Sequence, residues 1–258
     1  MFHHKIHDKV GPKTYMDWFL LAFLGGQVNA GGYLSCHRFV SHVTGFATLV
    51  GVSVEKRDWI EAIGTASIPL YFLLGATTAA YFTEKRLAAR VHGERFSPVM
   101  TIEAALLGIA AFGGSRGHFG AFGAPPNIGD NFILLACLCG ACGLQNAAIT
   151  SASGSTVRTT HMTGLTTDLG LGLVRAEIHH LSAEQRAKER LANLARIGTL
   201  ASFIAGSLVA AFFFAKWRYR AFYIPMGIAL YAAWVARRSE AKLLGEFLPK
   251  IAGMEMGA

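Results

Sequence analysis

Charge is what this sequence has least of. Asp, Glu, Lys and Arg make up 16% of its 258 residues, where soluble domains carry about 25%. The deficit fits a polytopic membrane protein, and a mean hydropathy of +0.37 agrees. Acids are scarcer than bases, 16 against 24, which leaves a net charge of +8. No basic face with interleaved aromatics accompanies that excess, so nucleic acid is not an expected partner. The basic residues cluster instead in short connections between apolar runs, where they set topology. Cysteine is also sparse. Cys36 stands alone, and Cys137, Cys139 and Cys142 share one apolar run. On a helix Cys137 and Cys139 point about 200° apart, and no histidine is adjacent. They read as packing residues rather than as a metal site or a disulfide framework.

Several chemical signatures are missing. There is no nucleophile elbow, Walker loop, dinucleotide fingerprint or H-E-x-x-H. No catalytic residue, metal or cofactor is therefore expected. His3, His4, His7 and the pair His179-His180 lack a fixed geometry and read as solvated. No small-residue cleavage site closes a short apolar run near the start, so the first span is expected to stay in the protein.

What is present is a stretch that occurs twice. His42-Val43-Thr44-Gly45-Phe46-Ala47-Thr48-Leu49-Val50-Gly51 and His161-Met162-Thr163-Gly164-Leu165-Thr166-Thr167-Asp168-Leu169-Gly170 both read H-x-T-G-x-x-T-x-x-G. Each follows a polar pair, Gln27 and Asn29 or Gln145 and Asn146. A later match aligns Gly75 to Phe82 with Gly206 to Phe213, and Lys85 with Lys216. Polar, glycine-broken segments at matching places in two halves of a hydrophobic chain point to a membrane binding site.

The fold expected is all-α, a polytopic membrane helical bundle forming one membrane domain over residues 1–258. Its two sequence-related halves span about 15–112 and about 131–236. Candidate spans are Tyr15–Ser35, Ile60–Phe82, Pro98–Phe112, Asn131–Thr150, Ile197–Phe214 and Phe222–Ala236. The two H-x-T-G runs are short for a crossing and read as broken or re-entrant helices. Positive-inside counting compares two topologies. Six crossings with re-entrant signatures and inverted halves put 17 Lys and Arg inside and 7 outside; eight crossings with parallel halves give 15 to 9. The first is preferred. Ser182-Ala183-Glu184-Gln185 fits a capping box and starts a charged surface helix, the insertion of the second half. Pro69 predicts a kink in its span.

Free N–H groups at the starts of two broken helices would present partial positive charge. The candidate binding residues are Asn29, His42, Thr44, Thr48, Gln145, Asn146, Arg158, His161, Thr163, Thr167 and Asp168. The histidines could carry protons. Plainer readings stand beside these. Threonine and histidine can bond carbonyls freed by the helix breaks, and the amides can be interhelical glue. Arg38 and Arg158 can be interfacial anchors. Asp168 can hold a cation or pair with Arg158. Glu61 and Glu103 lie near run ends and read as interfacial.

Two stretches carry a family resemblance, Gly26 to Gly51 and Gly143 to Gly170. Gly143-Leu144-Gln145-Asn146-Ala147, Val157-Arg158-Thr159-Thr160, Thr163-Gly164 and Thr167-Asp168-Leu169-Gly170 resemble the second-half pattern of the YoaK-like bacterial membrane proteins. Phe39-Val40-Ser41-His42 and Thr44-Gly45 match in the first half. Asn29 and Phe46 depart from residues common in that family. The resemblance covers about Trp18 to Arg237 and implies a multi-pass protein of the bacterial inner membrane, with no established substrate.

The function expected is a secondary transporter or permease for a small polar or anionic solute. A membrane scaffold that binds a partner through residues 183–196 is the alternative, and a membrane-embedded enzyme is a weaker one. Expected partners are membrane lipids, the solute and a further copy of the chain.

Overall fold

A computed structural model describes residues 11–84, 95–124, 128–178 and 181–255, with side chains to residue 242. His3, His4, His7, His179, His180 and Lys85 lie outside the described residues. Helices make up the ordered structure, and no strand occurs among the described residues. They are α1 (Pro12–Cys36), α2 (Val43–Glu55), α3 (Trp59–Thr83), α4 (Ser97–Ser115), α5 (Ile128–Ala152), α6 (Met162–Arg175), α7 (Ala183–Trp217), a 3-10 turn η1 (Arg218–Phe222) and α8 (Tyr223–Glu255).

Local chemistry sets most of these boundaries. Pro12 and Pro98 occupy first-turn positions of α1 and α4, where the missing N–H costs nothing. Asp58 caps α3 by accepting from the Glu61 N–H. Ser182 and Gln185 form the expected capping box. α7 then runs unbroken for 35 residues, so the charged surface helix and the following span are one element. The glycine-rich stretch after Phe112 is shorter than expected, because α4 continues to Ser115 and α5 already begins at Ile128. Pro69 lies inside α3.

Four stretches are long and apolar enough to cross a membrane: Trp59–Thr83, Ser97–Ser115, Ile128–Ala152 and Ala183–Lys242. The last contains both α7 and α8. α1 falls outside this set, although it is 25 residues long, because Asp17, Gln27, Asn29 and its glycines dilute its apolar content. It is nonetheless central, with Trp18, Leu21, Leu24 and Val28 fully buried. α5 is central too, buried over 72% of its most apolar stretch against 28% for α3. Many outward-facing residues along the helices are apolar: Ile60 is 80% exposed and Phe212 78%. Such a surface is a liability in water and the norm against lipid.

Packing pairs helices that lie far apart in the chain. α1 lies on α7, α3 on α5 and α4 on α8, with α2 against α3 and α6 against α7. Glycines make the closest approaches. A Cβ on Gly26 would overlap the Phe203 carbonyl, and one on Gly206 the Phe23 carbonyl; Gly198 faces Phe19 and Gly31 faces Phe214. Residue numbers rise together, so α1 and α7 are parallel. Gly143 against Phe72, Gly75 against Gly140 and Gly64 against Ile128 make α3 and α5 parallel as well. α4 and α8 are antiparallel: Ser97 donates to Glu240 at 2.7 Å, while Gly108 faces Met226. Small residues let helix backbones approach where lipid gives no hydrophobic drive.

Candidate functional site

The site is built by two loops that fold back along the helices they leave. After α1, His37 adopts φ 55° and reverses the chain. Ser41 then donates from its N–H and its hydroxyl to Asn29 Oδ1, at 3.3 and 2.9 Å. Arg38 reaches across to Glu61 at 3.1 Å, and the second oxygen of Glu61 accepts from the Ile128 N–H. Thus one carboxylate ties the first loop to the starts of α3 and α5. Arg38 is a structural strut, and Glu61 is its partner rather than a free interfacial acid.

The loop after α5 follows the same course. Gly154 takes φ 59°. Ser153 then donates to the Val157 carbonyl and accepts from the Val157 N–H, at 3.1 and 3.0 Å. Gly25 admits the loop against α1: a Cβ there would stand 3.1 Å from the Thr159 carbonyl and from the Thr160 methyl.

Both loops end at a histidine that begins a short helix. His42 and His161 are the N-cap residues of α2 and α6, and neither side chain caps the helix it starts. Each start therefore presents partial positive charge without a side-chain acceptor from its N-cap residue. A cavity of about 320 Å³ lies where the two starts meet. His42 and Thr44 line it from one loop, His161 and Thr163 from the other, and Phe72 and Asn146 close it. Phe72 sits midway along α3, so the cavity is at the middle depth of that helix. Its size falls within the usual range for small-molecule pockets.

Several polar atoms around it lack a partner among the described residues. Thr160 is almost fully buried and lines the cavity, and its hydroxyl makes no hydrogen bond. Asn146 Oδ1 is likewise without one. Such groups cost free energy unless a solute or water satisfies them. Arg158 donates to His161 Nδ1 at 3.4 Å, which makes Nδ1 the acceptor and sets a cation just behind the cavity. No carboxylate is among the residues lining it. The electrostatics suit an anion or a polar solute with acceptor atoms.

The sequence-derived candidates divide. His42, Thr44, Asn146, His161 and Thr163 line the cavity, with Arg158 one contact away. Asn29 supports the loop through Ser41 instead. Gln145 donates to the Leu21 carbonyl, as interhelical glue. Thr48 and Thr167 donate to the carbonyls one turn back, Thr44 and Thr163, at 3.2 and 3.1 Å. Asp168 is half-buried outside the lining and makes no ion pair with Arg158 among the described residues. Ser41, Thr160 and Phe72 were missed. A hydroxyl residue precedes the histidine in both signatures, and that repeat could have revealed the first two. Phe72 lies in an apolar run and gives no signal.

Glu103 is the largest departure. It is fully buried rather than exposed at a run end, and both carboxyl oxygens lack partners among the described residues. Its signal was available, as a single acid within an apolar run, which marks a functional position by default. The cysteines are all free and buried, and no cluster of three His, Cys, Asp or Glu among the described residues could hold a metal. Two larger clefts, about 660 and 680 Å³, flank the ends of the α4–α8 pair and of η1. They open on basic surface residues away from the paired helix starts.

No curated protein and no solved structure matches the chain. The pattern of the family described as "protein of unknown function (DUF1275)" matches residues 18–235, and the chain belongs to that family.

Proposed function

We propose that this protein is a permease of the bacterial inner membrane that moves a small anionic or polar solute through the cavity between α2 and α6. The observation that carries the reading is the convergence of two uncapped helix starts, each with a histidine and a threonine, on one mid-depth cavity. Opposed helix starts favour negative charge, and discontinuous helices at the interface of two halves are where transporters bind their cargo.

The same reading takes the halves as an inverted duplication. Gly26 meets Phe203 and Ser207, while Gly143 meets Phe72 and Ala76; Gly206 meets Phe23, while Gly75 meets Gly140. Each contact has its counterpart in the other half. Parallel α1–α7 and α3–α5 pairs fit either six or eight crossings. The antiparallel α4–α8 pair supports six, since eight alternating crossings would run those helices in the same direction. α2 and α6, 13 and 14 residues long, span about 20 Å and fall short of a core of about 30 Å.

The scaffold alternative finds one face of the charged start of α7 engaged and the other, with Lys188, Arg190 and Leu194, exposed. Arg196 bonds Glu189 and Asn193 at 2.8 and 2.6 Å, and this cluster packs on Gly172 of α6.

The test is a thermal-stability screen of the purified protein with small inorganic and organic anions, followed by flux in proteoliposomes for any that stabilise. A ligand at 100 times its Kd should add about 2.7 kcal/mol. His161→Ala should abolish both the stabilisation and the flux. Unchanged binding and flux in that variant would remove the cavity from the mechanism.

A further inference from the structure

We propose that Glu103 is a proton-binding site of the bundle interior, loading and unloading a proton in step with the occupancy of the α2–α6 cavity. The proposal rests on the permease reading and supplies its coupling ion.

Glu103 lies in the second turn of α4, among buried Val99, Met100, Ala104 and Leu107. α8 crosses it antiparallel. Between the Ser97–Glu240 contact and the Gly108–Met226 contact, the register sets Glu103 opposite the Ala232 and Ala233 level, where both alanines are buried. From α5, which meets α4 where Leu106 approaches Gly140, the nearby titratable groups are the buried thiols of Cys139 and Cys142. Among the described residues no charged side chain from α3, α5, α8 or η1 meets the carboxyl.

That environment selects the ligand. Metal cations of the hard type need about six or more oxygens. This site offers two carboxyl oxygens. A proton needs one oxygen, and it removes the cost of an unpaired charge away from water. The connection to the cavity runs along α5. Cys142 and Asn146 are four residues apart, so their side chains are neighbours on one helix face, about 5–6 Å between Cβ atoms. Asn146 lines the cavity with its carbonyl oxygen unpartnered. The O–H bond of the neutral acid breaks on unloading; the carboxylate keeps the electron pair, and the proton goes to water.

The experiment is infrared difference spectroscopy of the full chain in lipid nanodiscs, with the proton itself as the probe. The C=O stretch of a neutral carboxylic acid is followed from about pH 5 to about pH 9, in wild type and in Glu103→Gln. The proposal expects a band that is present in acid, lost as pH rises, and absent from Glu103→Gln at every pH. Its midpoint should move in Asn146→Ala. A wild-type spectrum without a Glu103 band, or with one unchanged across the range, overturns the site. A midpoint indifferent to Asn146→Ala overturns the coupling. Should Glu103→Gln not fold, wild type is treated with dicyclohexylcarbodiimide, which modifies neutral carboxyls in apolar surroundings. An adduct located at Glu103 by peptide mass, declining as pH rises, supports the site; no adduct at any pH overturns it. Neither readout requires the solute. A silent Glu103 therefore leaves the cavity reading standing, and a failed anion screen leaves the Glu103 band to be judged alone.

Discussion

Glycine has opposite meanings at different positions of this chain. Gly26 and Gly143 stand where a methyl group would enter the backbone of a neighbouring helix. Replacing either with alanine forces α1 from α7, or α5 from α3. Overpacking of this kind costs about 1–3 kcal/mol. Gly51 and Gly170, the last positions of the two signatures, have nothing within 4 Å of the added atom. Alanine there should be neutral or stabilising by up to about 1 kcal/mol, because glycine is a poor helix residue. Unfolding of the four single variants in mixed micelles checks the contrast. Equal losses at all four would mean that the close helix contacts are not where the structure puts them. The sequence shows these glycines as repeated letters with no difference between them. Only the neighbouring helix distinguishes a contact glycine from a spare one.

The elements that matter most are α2 and α6, and their starts are held by residues outside the signature. Glu61 is the clearest case. It pairs with Arg38, accepts from the Ile128 N–H and lies within 3.4 Å of the Thr65 hydroxyl. Glu61→Ala should lower stability by about 1–3 kcal/mol, since it strips a charge-assisted partner from a half-buried arginine. Glu61→Gln should recover part of the loss, because it keeps acceptor capacity. A thermal melt of both variants reads the difference, and a Glu61→Ala melt equal to wild type would make the strut decorative. At the other end of the bundle, Glu240 of α8 accepts from the Phe96 and Ser97 N–H groups at 2.7 and 2.9 Å and so caps α4 from a distance. Boundaries set by local chemistry were readable in the sequence, as the Ser182 capping box shows. A cap supplied from 143 residues away was not, because no local pattern encodes it.

The arrangement of the whole molecule makes a prediction about sides. In the six-crossing reading, the loop between α2 and α3 and the turn between α7 and α8 lie on the same face of the membrane. Eight crossings put them on opposite faces. Lys56→Cys and Lys216→Cys are both exposed positions for a membrane-impermeant maleimide applied to intact cells. The expectation is that both label, or both are protected, together. Labelling of one without the other would reject the re-entrant reading of α2 and α6. The sequence count of basic residues leaned the same way only slightly. The direction of α4 against α8 is the stronger argument, and it exists only in three dimensions.

The scarcity of charge and the long apolar runs together determined that this is an apolar helical protein, since so little charge cannot clothe a soluble surface. The doubled H-x-T-G pattern likewise located both histidines, because a repeated local motif survives without knowledge of its surroundings. Tertiary structure decided which polar residues face a shared space and which are consumed in holding the frame. Asn29 and Asn146 each lie on a helix that precedes an H-x-T-G stretch, yet one oxygen is taken by Ser41 and the other is left at the cavity. Glu103 shows the limit most plainly. Its burial depends on α4 being covered by α5 and α8, and a side chain's distance from water is fixed by elements far away in the chain rather than by its own neighbours.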